Sequence, residues 1–423
     1  MMLRGTFFEN PAYCQYARLL AHLHDLIVAG RDDEREGDEL RAKMDVCGEG
    51  LTDNEVFSLQ GLSGDLYSLH EPAGVPPPQV AQSQNDLADS LNAAQSGDLV
   101  TALALVRKSR NQIEPSQLSY LRGRFLSDAG LADLAFRFFN HASELEPTND
   151  HYRSVILDTL RQFDVAQARK RASEILVSPE KYTPVLALKA AEIRYESKRD
   201  VTPAAAAEIR RGLIPVLTRI IVGLESKPTD PVGELVLPMA YLFCGFCNQG
   251  IGDIANARRC FDLAIRLRPN DVWLRTARGI LLYGRDSTRA VSDFEQAVAL
   301  NARTAWPYFF LAHHYLVAGR YSNCLEMCEQ ACRFPVNDKA RANCFEWVAI
   351  CQSTLGYDTE IVRESFSRAA RLAPDNHRIS KNRDAFEAHV AGSSVGTILW
   401  DNDREEDVRE LGQDFGNEFQ LAA

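Results

Sequence analysis

A chain of 423 residues, 45% hydrophobic and 25% charged, is ordinary for a globular protein and long enough for two or three compact units or one repeat array. The net charge of -11 sits at the ends: residues 1–82 hold 6 Lys+Arg against 14 Asp+Glu, and residues 393–423 hold 2 against 8, leaving about 39 against 36 in between. Acidic ends without a basic stripe rich in stacking aromatics disfavour nucleic-acid binding. The N-terminus lacks a signal-peptide pattern, and the most apolar later run, "GLIPVLTRIIVGL", is short and carries Arg219, so no membrane span is expected.

In chain order, residues 1–70 read as a helical N-terminal region, with three short helices over 12–70 and a loop near "DVCGEG". Residues 71–82, from "HEPAGVPPPQ", read as a stiff proline-rich linker. Residues 83–237 are expected to form degenerate and regular helix hairpins, with two degenerate ones over 150–237, where Thr202 is an N-cap and Pro215 should kink a helix. Residues 238–375 read as a regular array, 376–391 as a capping helix, and 392–423 as an acidic flexible tail.

The array is legible because marks recur. From Gly252, offsets of 5, 9, 12, 15 and 17 give Ala257, Phe261, Ala264, Leu267 and Pro269; from Gly130 they give Ala135, Phe139, Ala142, Leu145 and Pro147. The pattern returns from Gly319, and one residue late from Gly284 and Gly356. Seven residues before the five glycines stand Gly123, Gly245, Ala277, Ala312 and Ala349, all small; eleven before the last four stand Tyr241, Trp273, Tyr308 and Phe345, all aromatic. This predicts hairpins of about 34 residues, with a ring wedged between two helices, a small residue at their close approach, and glycine in the turn.

The skeleton resembles the tetratricopeptide repeat (TPR), well over residues 116–149 and 238–375 and more weakly over 83–115. The resemblance implies an all-α solenoid of stacked hairpins and a non-catalytic scaffold or adaptor that binds a peptide or partner protein in a groove lined by the first helix of each hairpin. Carried over at 13, 10, 6 and 3 residues before the turn glycine, the groove positions are Gln117, Tyr120, Arg124 and Ser127; Met239, Leu242, Phe246 and Gln249; Asp271, Leu274, Arg278 and Leu281; Trp306, Phe309, His313 and Leu316. Tyr120, Arg124, Phe246, Arg278, Trp306, Phe309 and His313 are the candidate partner-binding residues. The family's Lys/Asn/Arg carboxylate clamp would need Lys or Asn at the second and third positions, which here are mostly aromatic or aliphatic. Aromatic and Arg anchors instead favour a protein or peptide ligand with acidic and apolar residues.

The alternative is a metal- or small-ligand-binding helical protein using the N-terminal helices or the cysteines: Cys244 and Cys247 as a CxxC, and Cys324, Cys328 and Cys332 on one helix face. Against it, Cys324 and Cys328 fall on the repeat's own packing positions, and no second CxxC or His pair stands at zinc spacing. The adjacent His313 and His314 point about 100° apart on a helix. No nucleophile triad, phosphate loop or HExxH appears, so no catalytic residue and no cofactor is expected. Ten scattered cysteines suit a reducing compartment, read as the cytoplasm. The tail combines Ile398, Leu399 and Trp400 with the acids from Asp401 to Asp407. That is the composition the groove would prefer, so Trp400, Asp401 and Asp403 are candidates for docking back onto it, competing with partners.

Overall fold

The computed structural model describes residues 7–70, 85–226, 231–392, 397–412 and Phe415, and these contain helices and no strand. They divide into two units, Met1–Arg194 and Tyr195–Ala423. The expected proline-rich linker lies outside the described residues.

The first unit opens with α1 (Pro11–Val28), α2 (Arg35–Gly48) and α3 (Asp53–Tyr67). Asn10 caps α1 from its side chain, and Thr52 with Glu55 forms a reciprocal capping box on α3, satisfying amides that an open helix end would leave unpaired. Three hairpins follow: α4 (Asp86–Gln95) with α5 (Leu99–Lys108), α6 (Pro115–Asp128) with α7 (Ala132–Leu145), and α8 (Asp150–Phe163) with α9 (Val165–Val177). The N-terminal helices do not stand apart as a region of their own. Tyr13, Ala17, Leu59, Leu62 and Leu66 are buried in one cluster with Leu103, Phe125, Phe138 and Phe139 of the hairpins, because their apolar stripes have no other face to cover. Asp65, 3% exposed, adds an ion pair at 2.8 Å to the equally buried Arg122, and a second to Arg107 at 2.6 Å. α10 (Pro184–Glu196) runs across the division between the units.

The second unit contains α11 (Pro203–Glu225), packed along α12 (Pro231–Gly250), and then four hairpins in chain order. These are α12 with α13 (Ile254–Leu267), α14 (Val272–Leu282) with α15 (Ser287–Ala299), α16 (Trp306–Val317) with α17 (Tyr321–Cys332), and α18 (Asp338–Thr354) with α19 (Thr359–Leu372). α20 (His377–Val390) packs on α19, and a seven-residue α21 (Glu405–Leu411) follows. Residues 150–237 thus include the α8–α9 hairpin, α10 and α11, and α11 continues without a break through Pro215.

Local chemistry explains the hairpins. The turn glycine takes a left-handed backbone, φ 84° at Gly252, which costs a residue without Cβ nothing. Asp253 then caps α13 through the Asn256 amide, and Asp271 caps α14. Gly245 lies against the Phe261 ring so closely that any Cβ there would enter it, and Gly123 meets Phe139 in the same way. Ala257 and Ala264 are fully buried along the same contact. Among the described residues no helix is long and apolar enough to cross a membrane.

Candidate functional site

The segment 397–412 lies against a polar constellation built by first helices of the second unit and by α20. That segment, expected as a flexible tail, runs back along the hairpins in the order opposite to their own. Trp400 is half-buried, with its ring 6.2 Å from Phe366. The backbone of Asp401 is held at both ends by one side chain: its amide donates to Asn382 Oδ1 at 2.8 Å, and Asn382 Nδ2 donates to its carbonyl at 2.8 Å. The Asp401 carboxylate meets Lys381 at 2.9 Å. The carbonyl of Asp403 accepts from His313 Nε2 at 3.1 Å, while its carboxylate accepts from Asn343 Nδ2 at 3.1 Å and pairs with Arg378 at 3.0 Å.

Beyond it, Glu405 accepts from Ser287 Oγ at 2.7 Å, and Arg409 Nη1 donates to the carbonyl of Tyr283 at 2.8 Å. Val408 is fully buried. Gly412 faces Phe310 and Ile280, and Phe415 stacks on Trp273 with centroids 4.7 Å apart.

The charges are finely set. A single guanidinium, Arg378, serves both Asp403 and Glu346, the latter at 2.6 Å and fully buried. Burial pushes the Glu346 carboxyl up to about 7, against the pull of Arg378, and the Asp401 and Asp403 carboxylates push the same way. Burial also raises Asp403. His313, enclosed and accepting from Tyr283 Oη at its Nδ1, is pushed down to about 4, so near neutral pH it is the uncharged tautomer with its proton on Nε2, aimed at the Asp403 carbonyl.

Several expected anchors are placed differently. Trp306 and Phe309 are fully buried among Phe310 and Trp347, so they hold neighbouring hairpins together and offer no surface. His313 is equally buried, but by Tyr283, Trp347 and the 397–412 backbone. Phe246 is 6% exposed and touches Phe261 and Phe415.

Arg278 is spent internally, bidentate on Asp293 at 2.8 and 2.7 Å and on Asp262 at 2.7 Å, which raises its already high pKa. The reason is register. In the other glycine-packed hairpins the close-approach glycine lies seven residues before the turn, whereas in α14 it is Gly279, five before Gly284 and packed on Phe294. The face is rotated by two residues, and Trp273, Ile280 and the backbone carbonyl of Tyr283 meet the tail instead.

Tyr120 and Arg124 belong to the first unit. Tyr120 is half-buried against Phe139, His151 and Tyr152, with its hydroxyl 3.1 Å from His151 Nε2, and Arg124 is exposed. Sequence reading missed Asn343, Glu346, Arg378 and Asn382. Three of them were within reach: counting 13 and 10 residues back from Gly356 gives Asn343 and Glu346, and 10 back from Gly392 gives Asn382.

The cysteines are free thiols. Cys324 and Cys328 lie 4.0 Å apart between sulfurs in the packing of α17, and Cys247 is buried in α12 with its thiol pushed up to about 12 by desolvation. Among the described residues no three His, Cys, Asp or Glu side chains are disposed to hold a metal ion.

No family model matches the chain, and no curated protein matches it. Among solved structures it is similar to a tetratricopeptide repeat protein from Parabacteroides merdae, at 15% identity over 68% of this chain and 98% of that one, TM-score 0.42. It is also similar to the C-terminal part of a TPR repeat-containing protein from Cytophaga hutchinsonii, at 11% identity over 70% of this chain and 98% of that one, TM-score 0.36. A third is yeast Tom70, at 12% identity over 79% of this chain and 76% of that one, TM-score 0.36.

Proposed function

We propose that the chain is a non-catalytic scaffold, working in a reducing compartment such as the cytoplasm, whose second unit receives an extended acidic peptide on its first-helix face, and that residues 397–412 are its built-in occupant. The observation that carries this reading is the Asn382 pair of hydrogen bonds to the Asp401 backbone, followed two residues on by His313 on the Asp403 carbonyl. Side chains that bond main-chain groups of an extended strand recognise a peptide as such, and the Arg378 and Asn343 contacts to the Asp403 carboxylate add the preference for acid. The ligand is therefore a linear segment of a partner protein with the order aromatic, acid, any residue, acid, as in Trp400-Asp401-Asn402-Asp403. Tethering sets the effective concentration of the chain's own copy near millimolar for a short flexible linker, so even weak docking in cis would hold off partners.

The test uses a fluorescent peptide of residues 397–415 and the chain truncated after residue 396. Saturable anisotropy change is expected, weakened about tenfold or more when the peptide carries Asp403→Ala or the protein carries Arg378→Ala. A peptide that does not bind, or binds equally well without Asp403, overturns the reading.

A further inference from the structure

Where the tail passes α14, it borders a cavity of about 150 Å³ whose charged lining groups, among the described residues, all have one sign. Arg210 from α11, Arg285 from the turn after α14 and Arg409 from α21 line it together with Gln249, Phe246 and Phe415. Among the described residues no carboxylate lines it. Each guanidinium has one backbone carbonyl as partner: Gly250 for Arg210 at 3.2 Å, Leu281 for Arg285 at 2.7 Å and Tyr283 for Arg409 at 2.8 Å. Arg210 Nε is buried without any hydrogen-bond partner.

Elsewhere in this unit Arg278 and Arg378 are each matched by two acids. The three around the cavity have no ion pair among the described residues, and burial first, with the like charge of Arg409 second, pushes the Arg285 pKa down. Among the described residues the acid acting on Arg285 is Glu406, which is exposed and not part of the lining.

We propose that this cavity is an anion site for a phosphate group, free or carried on a small molecule, and that its ligand fastens the tail. Three forks with up to three positive charges suit a tetrahedral dianion better than a single carboxylate, which can satisfy one fork. The volume admits a phosphate with a little more, and the rings of Phe246 and Phe415 would border an attached apolar body. One arginine belongs to α11, one to the turn after α14 and the third to the tail, so an anion that joins them removes a repulsion that docking creates. By mass action it stabilises the docked form over the released one. The inference rests on the tail's position in this structure and does not require that a partner peptide use the same face.

The full chain is titrated by calorimetry with inorganic phosphate, phenyl phosphate and acetate at constant ionic strength, while the rate of proteolysis in the tail is followed. One saturable phosphate site is expected, with slower cleavage of the tail as it fills, and about tenfold weaker binding in Arg409→Ala and in Arg285→Ala. Arg285 is exposed and Arg409 lies in the tail, so neither change removes hairpin packing. Tighter binding of phenyl phosphate would assign the site to a phosphorylated small molecule, and equal binding to the free anion. Absence of a saturable phosphate site, acetate binding as tightly as phosphate, or undiminished binding in both variants overturns the proposal. Phosphate binding by the full chain alongside failure of the 397–415 peptide to bind the truncated one would remove only the reading of the peptide face.

Discussion

Both ends of this chain are acidic, and both lie against cations of the hairpins, but they are held in different ways. At the N-terminal end the carboxylate of Asp65 meets Arg122 and Arg107 at the margin of a buried cluster to which α1 and α3 contribute Tyr13, Leu59, Leu62 and Leu66. At the C-terminal end the contacts of residues 400–409 are mostly hydrogen bonds to backbone and single ion pairs, with Val408 and Phe415 as the apolar insertions. A cluster that excludes water on all sides cannot be exchanged without unfolding its unit. A strand read through its main chain can be replaced by another strand of like pattern. Charge complementarity alone therefore does not tell a structural end from a replaceable one; the apolar area behind it does.

The largest effect that would break this comparison is expected from Asp65→Ala. It leaves Arg122 buried without its carboxylate, a loss of about 3–5 kcal/mol that should appear as cooperative destabilisation of the first unit in chemical denaturation. If that variant merely frees the N-terminal helices to proteolysis while the hairpins melt unchanged, the two ends are alike after all. Next in size is Asn382→Ala, which removes both hydrogen bonds to Asp401 and should shift tail docking by about 2 kcal/mol. It should be read as faster cleavage between residues 397 and 412 with helicity by circular dichroism kept.

The smallest effect sharpens the electrostatics. Glu346 has its folded pKa raised from 4.5 to about 7, so the folded protein holds a proton that the unfolded chain has given up, and stability falls as pH rises across that window. Glu346→Gln should remove that fall, narrowing the stability difference between pH 5 and pH 8. His313 works with the opposite sign: its depressed pKa means that stability falls as pH drops below 6.5 toward 4. An unchanged pH profile in the Gln variant would mean that Glu346 is ionised at no cost.

The hairpins were legible because their marks are steric necessities. Gly130, Gly252, Gly284, Gly319 and Gly356 all take positive φ, and residues such as Ala257, Ala264 and Ala369 sit where a larger side chain has no room. The groove was less legible for two physical reasons. Offsets counted from a turn assume a fixed turn, and α14 ends early enough to rotate its face by two residues, so Arg278 is spent on Asp293 and it is the Tyr283 carbonyl that meets the tail. Amphipathic patterning also reports that a face is buried without reporting by what. Trp306 and Phe309 have the composition of anchors and are interior, while α20, which reads as a solvating cap, supplies Arg378 and Asn382. The same silence hid the partner of α1 to α3.

Four of the five turn glycines open onto empty space, with nothing within 4 Å of where a Cβ would stand. Gly284 does not: a carbon added there would come within 3.0 Å of Arg409 Nη1 and 3.1 Å of the Glu405 Cβ. Over generations Gly130, Gly252, Gly319 and Gly356 are free to drift to Asn, which tolerates the same backbone. Gly284 is free to follow them only in a lineage that has given up its tail, so the identity of this one residue in descendants of the chain would record whether the tail is still in use.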